Sequence, residues 1–290
     1  MLMGMIIYGL INAIMFTLIT LGFSLTFGIS GIANFAYGAF YVFGAYLCWH
    51  FLNSLGFSYP LAIALSVLAV GIFGAIIYRF VLFRIRGMTL SEVIATFGLG
   101  SGILEFFRST GLTGHSYKLP VFVSGSLELF GVYVDYQRLI IIGIGIILLS
   151  FLWFFTHYTK VGLAFRGIAQ DEYTALAFGI ESDNTAMISI GIGSALASLA
   201  AITIMPLSLI TVEEGNNILI IALAVGIVGG MESMTGVIIA SLIFGFSQII
   251  VATYFSTHYI MIVLLGTILL ILVIRPSGLF GKFKELEERV

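Results

Sequence analysis

The side chains that usually do chemistry are sparse in this sequence and do not gather. The four histidines, His50, His115, His157 and His258, are scattered. No H-E-x-x-H pair stands ready to hold zinc beside a carboxylate base. No G-x-x-x-x-G-K-[ST] loop is present to cradle phosphates, since the nearest approach, Gly281-Lys282, is followed by Phe283. The single cysteine, Cys48, lies in an apolar run, which excludes an intramolecular disulfide and suits a small buried thiol. Neither a catalytic group nor a metal site is expected. Glu105 and Arg108 have the i, i+3 spacing of an ion pair on one helix face. What remains distinctive is two glycine-rich segments, one holding Asn34 and the other Glu232, and one charged amphipathic loop.

The elements that must position these residues are membrane helices. Of 290 residues, 60% are hydrophobic and 9% charged, where a soluble domain carries about 25% charged residues. Mean hydropathy is +1.16. Met1 to Tyr78 and Ser233 to Ile274 contain no Asp, Glu, Lys or Arg. The start has no basic residue, so it reads as a retained span, not a cleaved signal. About 20 mostly apolar residues cross a bilayer. Spans are expected near 6–29, 37–54, 59–83, 89–109, 138–156, 185–207, 218–231, 236–256 and 259–274. The fold class is an all-α polytopic bundle of about nine spans, with eight and ten as neighbouring counts. The segments 89–109 and 218–231 are the weakest, and read as half-helices or tilted elements. The chain reads as one transmembrane domain over 1–290, with a cytoplasmic loop at 157–184, an external loop at 110–137 and a cytoplasmic tail at 275–290.

Orientation follows from the basic residues of short loops. With the N-terminus outside and the C-terminus cytoplasmic, the inner side holds Arg79, Arg84, Arg86, Lys160, Arg166, Arg275, Lys282, Lys284 and Arg289. The outer side holds Arg108, Lys118 and Arg138, a bias of nine against three. A net charge of −2 argues against nucleic acid as a partner. The external loop carries Pro120 and the alternating run Leu127 to Val132, which predicts a short hairpin. It reads as a contact for a soluble partner or as a plain connection.

The glycine-rich segments are Gly28 to Gly38 and Gly226 to Gly236. Glycines 28, 31 and 38 match 226, 229 and 236 at a constant offset of 198. Such an offset is what an internal repeat would leave, and paired Gly-interrupted segments mark binding regions in transporters. A broken helix frees backbone groups that lipid cannot satisfy, so it is tolerated only against protein or a water-filled cavity. Asn34 and Glu232 take equivalent places. Asn34 either caps a helix start or faces the path of a solute. Glu232 reads as a group at the cytoplasmic edge, because a lone buried carboxylate is expensive. Asn12, Asn34, Tyr37, Gly38, Gly230 and Gln248 are the candidates to line a path. Charged residues deep in the spans are few, which disfavours a proton-coupled carrier.

In the loop, apolar residues at 161, 165, 168, 169 and 176 give an imperfect amphipathic helix. Gly179 suits a left-handed helix end, and Gly167 within the helix predicts close approach of another backbone. The apolar face would lie on the membrane surface or dock on a soluble partner.

Arg166, Ala169, Asp171, Ala175, Gly179 and Ile180 match a pattern of Arg-Ala-small-Ala-Glu/Asp followed by Ala-x-x-x-Gly-Ile. Asn34-Phe35-Ala36-Tyr37-Gly38, Gly229 to Gly236, and Arg275-Pro276-Ser277-Gly278-Leu279-Phe280-Gly281 match three further motifs. In these four stretches the chain resembles the permeases of branched-chain amino acid ABC importers, over nearly its whole length. Tyr37 stands where that family has His, Gly167 where Ala is usual, and Glu232 and Thr235 depart from Gly-Gly-x-Gly-Ser-x-Pro-Gly. The resemblance implies a second permease subunit, homologous or identical, two ABC ATPase subunits that bind the ATP, an extracytoplasmic solute-binding protein, and no cofactor on this chain. It implies a coupling role for Phe165, Arg166, Gly167, Ala169, Asp171, Ala175 and Gly179, and uptake of branched-chain amino acids or related small polar solutes by alternating access. One rival is a secondary carrier or channel that works without ATPases. A membrane-embedded enzyme is the other, but it needs clustered catalytic groups at one depth.

Overall fold

The computed structural model describes residues 2–109, 117–255, 259–275 and 277–281. The chain enters as α1 (Leu2–Ser30) and passes through an extended stretch into α2 (Tyr37–Asn53). Next comes α3 (Tyr59–Ile77), which widens into a π-helical turn over Tyr78–Leu82 and ends in the short α4 (Phe83–Ile85). Then follow α5 (Thr89–Phe107), the strands β1 (Ser126–Leu129) and β2 (Val132–Asp135), and α6 (Tyr136–Tyr158). The loop between spans forms α7 (Lys160–Gln170) and α8 (Glu172–Ala177). The last four helices are α9 (Ser182–Ile204), α10 (Val212–Gly229), α11 (Met234–Tyr254) and α12 (Ile260–Ile274).

Each expected span falls on a helix, so the all-α polytopic bundle stands. Among the described residues 7 helices are long and apolar enough to cross a membrane. α2, with 17 residues, and α12, with 15, are shorter. α5 falls on the span expected at 89–109 and runs unbroken over 19 residues, so it is not a half-helix; Glu92 in its first turn accepts the Gly87 N–H at 2.8 Å. One boundary differs from the sequence reading. α10 starts earlier than the uncharged run. The Thr211 hydroxyl accepts from Glu214 N–H at 3.4 Å, and Glu213 and Glu214 sit in the first turn. Carboxylates there meet the positive end of the helix dipole.

The uncharged α1 packs lengthwise on α9 and α11. Close approach is set by glycines: a methyl on Gly22 would lie 2.6 Å from the Gly193 carbonyl oxygen, and one on Gly245 2.5 Å from Ala13 N. Small residues at such crossings let helices gain dispersion contacts without a hydrophobic drive from lipid. The hydroxyls of Thr17, Thr26, Ser66, Ser194 and Thr203 bond carbonyls four residues back. They therefore stay satisfied at membrane depth.

The predicted hairpin is present, with Leu127 opposite Val134 and Phe130-Gly131 turning at positive φ. Tyr8 Oη donates to the Tyr133 carbonyl at 2.7 Å, so the hairpin and the start of α1 share one side. Residues 110–116, His258, and the tail from Lys282 onward lie outside the described residues.

Candidate coupling loop and helix breaks

The loop after α6 folds hard back on that helix. Thr159 caps α7 by accepting the Gly162 N–H at 3.0 Å. A methyl on Gly162 would stand 2.1 Å from the Phe155 carbonyl oxygen, so the sharp return requires glycine. Phe165 is buried, with its ring edge-on to Phe155 at 5.9 Å between centroids. Burying a side chain of that size is worth about 1.5–3 kcal/mol. Ile168 is buried beside it. Phe165 and Ile168, the centre of the apolar stripe read from the sequence, therefore face the protein's own bundle, while Leu176 at its end stays exposed.

The loop is two helices rather than one. Asp171 is extended and caps α8, accepting the Tyr173 N–H at 3.0 Å and the Thr174 hydroxyl. That hydroxyl bond holds the Asp171 carboxyl below the usual carboxylate range. Ala175 is buried. Gly179 has φ +82; its N–H bonds the Leu176 carbonyl and the Ile180 N–H the Ala175 carbonyl. This is the double closure of a Schellman turn. Gly167 differs from expectation, since its neighbours are the side chains of Ile180 and Ala175 and not another backbone. Leu163 on α7 and Tyr173, Leu176 and Phe178 in and just after α8 point away from the bundle, the last 82% exposed.

A cleft of about 190 Å³ joins this loop to the bundle. Arg166 and Ala169 line it from α7, Ser24 and Gly28 from α1, His157 from the end of α6, and Glu232 and Met234 from the turn between α10 and α11. Arg166 Nη2 donates to the His157 carbonyl at 3.4 Å. Ser24 Oγ donates to the Met231 carbonyl at 3.0 Å, so α1 grips the turn directly.

That turn is the second break. Gly230 takes φ +96, and a methyl there would lie 2.3 Å from Gly281 N. The Leu279 and Phe280 N–H groups donate to the Val228 and Gly229 carbonyls at 2.8 and 3.1 Å. The stretch 277–281 thus caps α10, giving the terminal motif a physical role. Glu232 is exposed, as expected.

The first break lies deeper. After Gly31, at φ +69, the chain runs extended and α2 begins beside the middle of α5. A methyl on Gly100 would stand 2.9 Å from the Ala36 Cα, and Thr96 Oγ1 donates to the Ala33 carbonyl at 3.4 Å. Asn34 is buried and its Oδ1 accepts the Ala36 N–H at 3.1 Å, so it satisfies freed backbone. Tyr37 packs edge-on to Phe23 at 5.8 Å between ring centroids. A methyl on Gly38 would lie 1.9 Å from the Gly215 carbonyl oxygen. The two breaks are therefore not equivalent, contrary to the offset of 198: one is extended and buried around Asn34, the other a tight turn exposing Glu232.

The structure brings Asn34, Tyr37 and Gly38 together, and sets the turn after Gly230 beside the loop of α7 and α8. Asn12 and Gln248 stand apart, near the other end of α1, where Asn12 Nδ2 donates to Gln248 Oε1 at 3.0 Å. Glu105 pairs with Arg108 at 3.1 Å as expected, and Arg108 also reaches Glu213 at 3.2 Å. Sequence reasoning missed Gly162, Gly215 and Arg86. Arg86 ion-pairs with Glu172 and Asp183, although the sequence offered it only as a topogenic charge. Among the described residues no group of three or more His, Cys, Asp or Glu is placed to hold a metal.

A charge-poor bundle with two helix breaks, in which 7 helices among the described residues are long and apolar enough to cross a membrane, is built as a multi-pass membrane protein. Residues 5–273 match the family described as branched-chain amino acid transport system / permease component, and the chain belongs to that family. It is 28% identical to the high-affinity branched-chain amino acid transport system permease protein BraD of Pseudomonas aeruginosa, over 96% of this chain and 95% of that one. It is 25% identical to the permease protein LivH of Escherichia coli K12, over 92% of this chain and 91% of that one. Among solved structures, PsaBC from Streptococcus pneumoniae in complex with Fab aligns with a TM-score of 0.52 at 16% identity. That match covers 95% of this chain and 94% of that chain, and speaks to the fold alone.

Proposed function

We propose that this chain imports branched-chain amino acids as one of two permeases, driven by separate ATPases that bind the loop of α7 and α8. The observation that carries this is the cleft of about 190 Å³, lined at once by α7, by α1 and by the turn after Gly230. A push on the loop acts on both helix breaks through one helix: α1 bonds the second break through Ser24 and leads directly into the first. ATP is held by the partners and none by this chain. The solute passes the first break, where Asn34, Tyr37 and Gly38 meet mostly apolar walls suited to a zwitterion with an aliphatic side chain. An extracytoplasmic binding protein delivers it on the side of the β1–β2 hairpin. The second permease packs on α5, where Gly98 and Gly102 are four apart and open to close approach.

Nine spans, including the shorter α2 and α12, set the N-terminus outside and the loop and C-terminus in the cytoplasm of a cell-membrane protein. The basic residues support that orientation, and the whole chain acts as one permease domain. A carrier or channel reading gains nothing from the α8 surface, where Tyr173, Leu176 and Phe178 stay exposed at the end of a charged loop.

The test is Phe178→Asp together with Tyr173→Asp in the assembled transporter. The expected outcome is loss of ATPase co-purification and of ATP-dependent uptake, with membrane insertion and thermal stability unchanged. Normal uptake by this variant would contradict docking through α8.

A further inference from the structure

Resting on the coupling reading, we infer that Arg86 is a positioning residue that ties α8 to the inner ends of α3 and α9, so that displacement of the loop is passed into both helices. Arg86 follows α4 directly, and its side chain is 19% exposed. Its guanidinium reaches three groups on two other elements. Nη2 pairs with Glu172 Oε1, in the first turn of α8, at 2.7 Å. Nη1 pairs with Asp183 Oδ1, in the first turn of α9. Nη2 also donates to Ser182 Oγ, and that hydroxyl donates to Glu172 Oε1. The planar fork of arginine can serve two carboxylates on different elements at once, where a lysine offers a single point charge.

The fifth member of the cluster makes the link mechanical. Tyr78 Oη donates to Asp183 Oδ1 at 3.3 Å. Tyr78 opens the π-helical turn Tyr78–Leu82, which lies between α3 and Arg86. A π turn inside a helix is a local widening where a helix can change register at low cost, and such turns recur at functional sites. Asp183 is thus held from both ends of that turn, by Tyr78 above and Arg86 below. Movement of α8 acts on Glu172, Glu172 acts on Arg86, and Arg86 acts on the segment below the π turn and on the start of α9. The contact of α8 with α7 through Ala175 and Ile180 is apolar and non-directional. The ion pairs are directional and suit transmission of a displacement.

The experiment compares wild type, Arg86→Gln, Arg86→Lys, Glu172→Gln and the double variant Arg86→Gln/Glu172→Gln in the assembled transporter in lipid vesicles, reading uptake per ATP hydrolysed. Arg86→Gln is expected to lower that ratio about tenfold, the scale of one coupling contact removed from a network, while ATP hydrolysis continues. Glu172→Gln lowers the ratio too, and the double variant is no worse than Arg86→Gln alone. Arg86→Lys recovers part of the ratio. A ratio unchanged in Arg86→Gln overturns the inference, as does loss of hydrolysis in step with uptake, which would make Arg86 merely structural. Wild-type uptake that needs no ATP would instead overturn the coupling reading itself, so the two failures are told apart.

Discussion

Gly38 and Gly98 make a matched pair of single-residue tests. A methyl on Gly38 meets the Gly215 carbonyl oxygen at 1.9 Å, whereas one on Gly98 meets open space. Gly38→Ala is expected to cost about 1–3 kcal/mol through overpacking, a fall of several degrees in the thermal midpoint of the detergent-solubilised chain. Gly98→Ala, in an open helix interior, holds or raises that midpoint, since alanine is favoured there by about 1 kcal/mol. An equal midpoint for both variants would mean that α2 and α10 are not in contact at Gly38. At this scale the sequence was partly legible. The backbone bond of Asn34 and the left-handed Gly179 could be read from local chemistry, because both involve neighbours in the chain, although Ala36 and not Asn34 stands at the start of α2. Gly215 and Arg86 could not. Their partners lie far off in sequence, and a basic residue after a span reads as orientation alone.

The loop of α7 and α8 sets the next scale. Phe165→Asp places a carboxylate against Phe155 in a site that is 1% exposed. An unpaired buried charge is far more costly than a lost apolar contact. Insertion is expected to survive, α7 to leave α6, and uptake to be lost; faster proteolysis between 159 and 181 measures the release. Since Phe165 and Ala175 are both buried, substitution there probes the seating of the loop, and Phe178→Asp probes its outer face. Gly179→Ala is expected to cost about 1 kcal/mol, because an alanine at φ +82 is strained. Acid acts on the start of α8. The Asp171 carboxyl is held below its ordinary range, so its stabilising bonds are present at neutral pH and are lost as pH falls through that lowered range. The protection factor of the Tyr173 amide, its exchange rate set against the intrinsic rate at each pH, should fall there and not on the alkaline side. The amphipathic period announced a helix in this loop, but not the break at Asp171. A capping aspartate inside a polar stretch looks like one more solvated residue until the backbone around it is known.

Across the molecule, charge-poor runs and the glycine-rich interruptions between them were enough to find the helices, since bilayer thickness fixes their length and lipid forbids exposed backbone. The depth of each break was not legible. It depends on which helix the interrupted backbone packs against: α5 for the stretch around Ala36, the terminal residues Leu279 and Phe280 for the turn at Gly230. The constant glycine offset suggested two equivalent breaks, and three-dimensional packing made them different. The account rests on a motor outside this chain, acting through the loop of α7 and α8. The most direct measurement is leucine uptake into sealed lipid vesicles that contain either this chain alone or this chain with its permease and ATPase partners, with and without internal ATP. The account predicts uptake only in the complete assembly with ATP; leucine entry driven by this chain alone would contradict it.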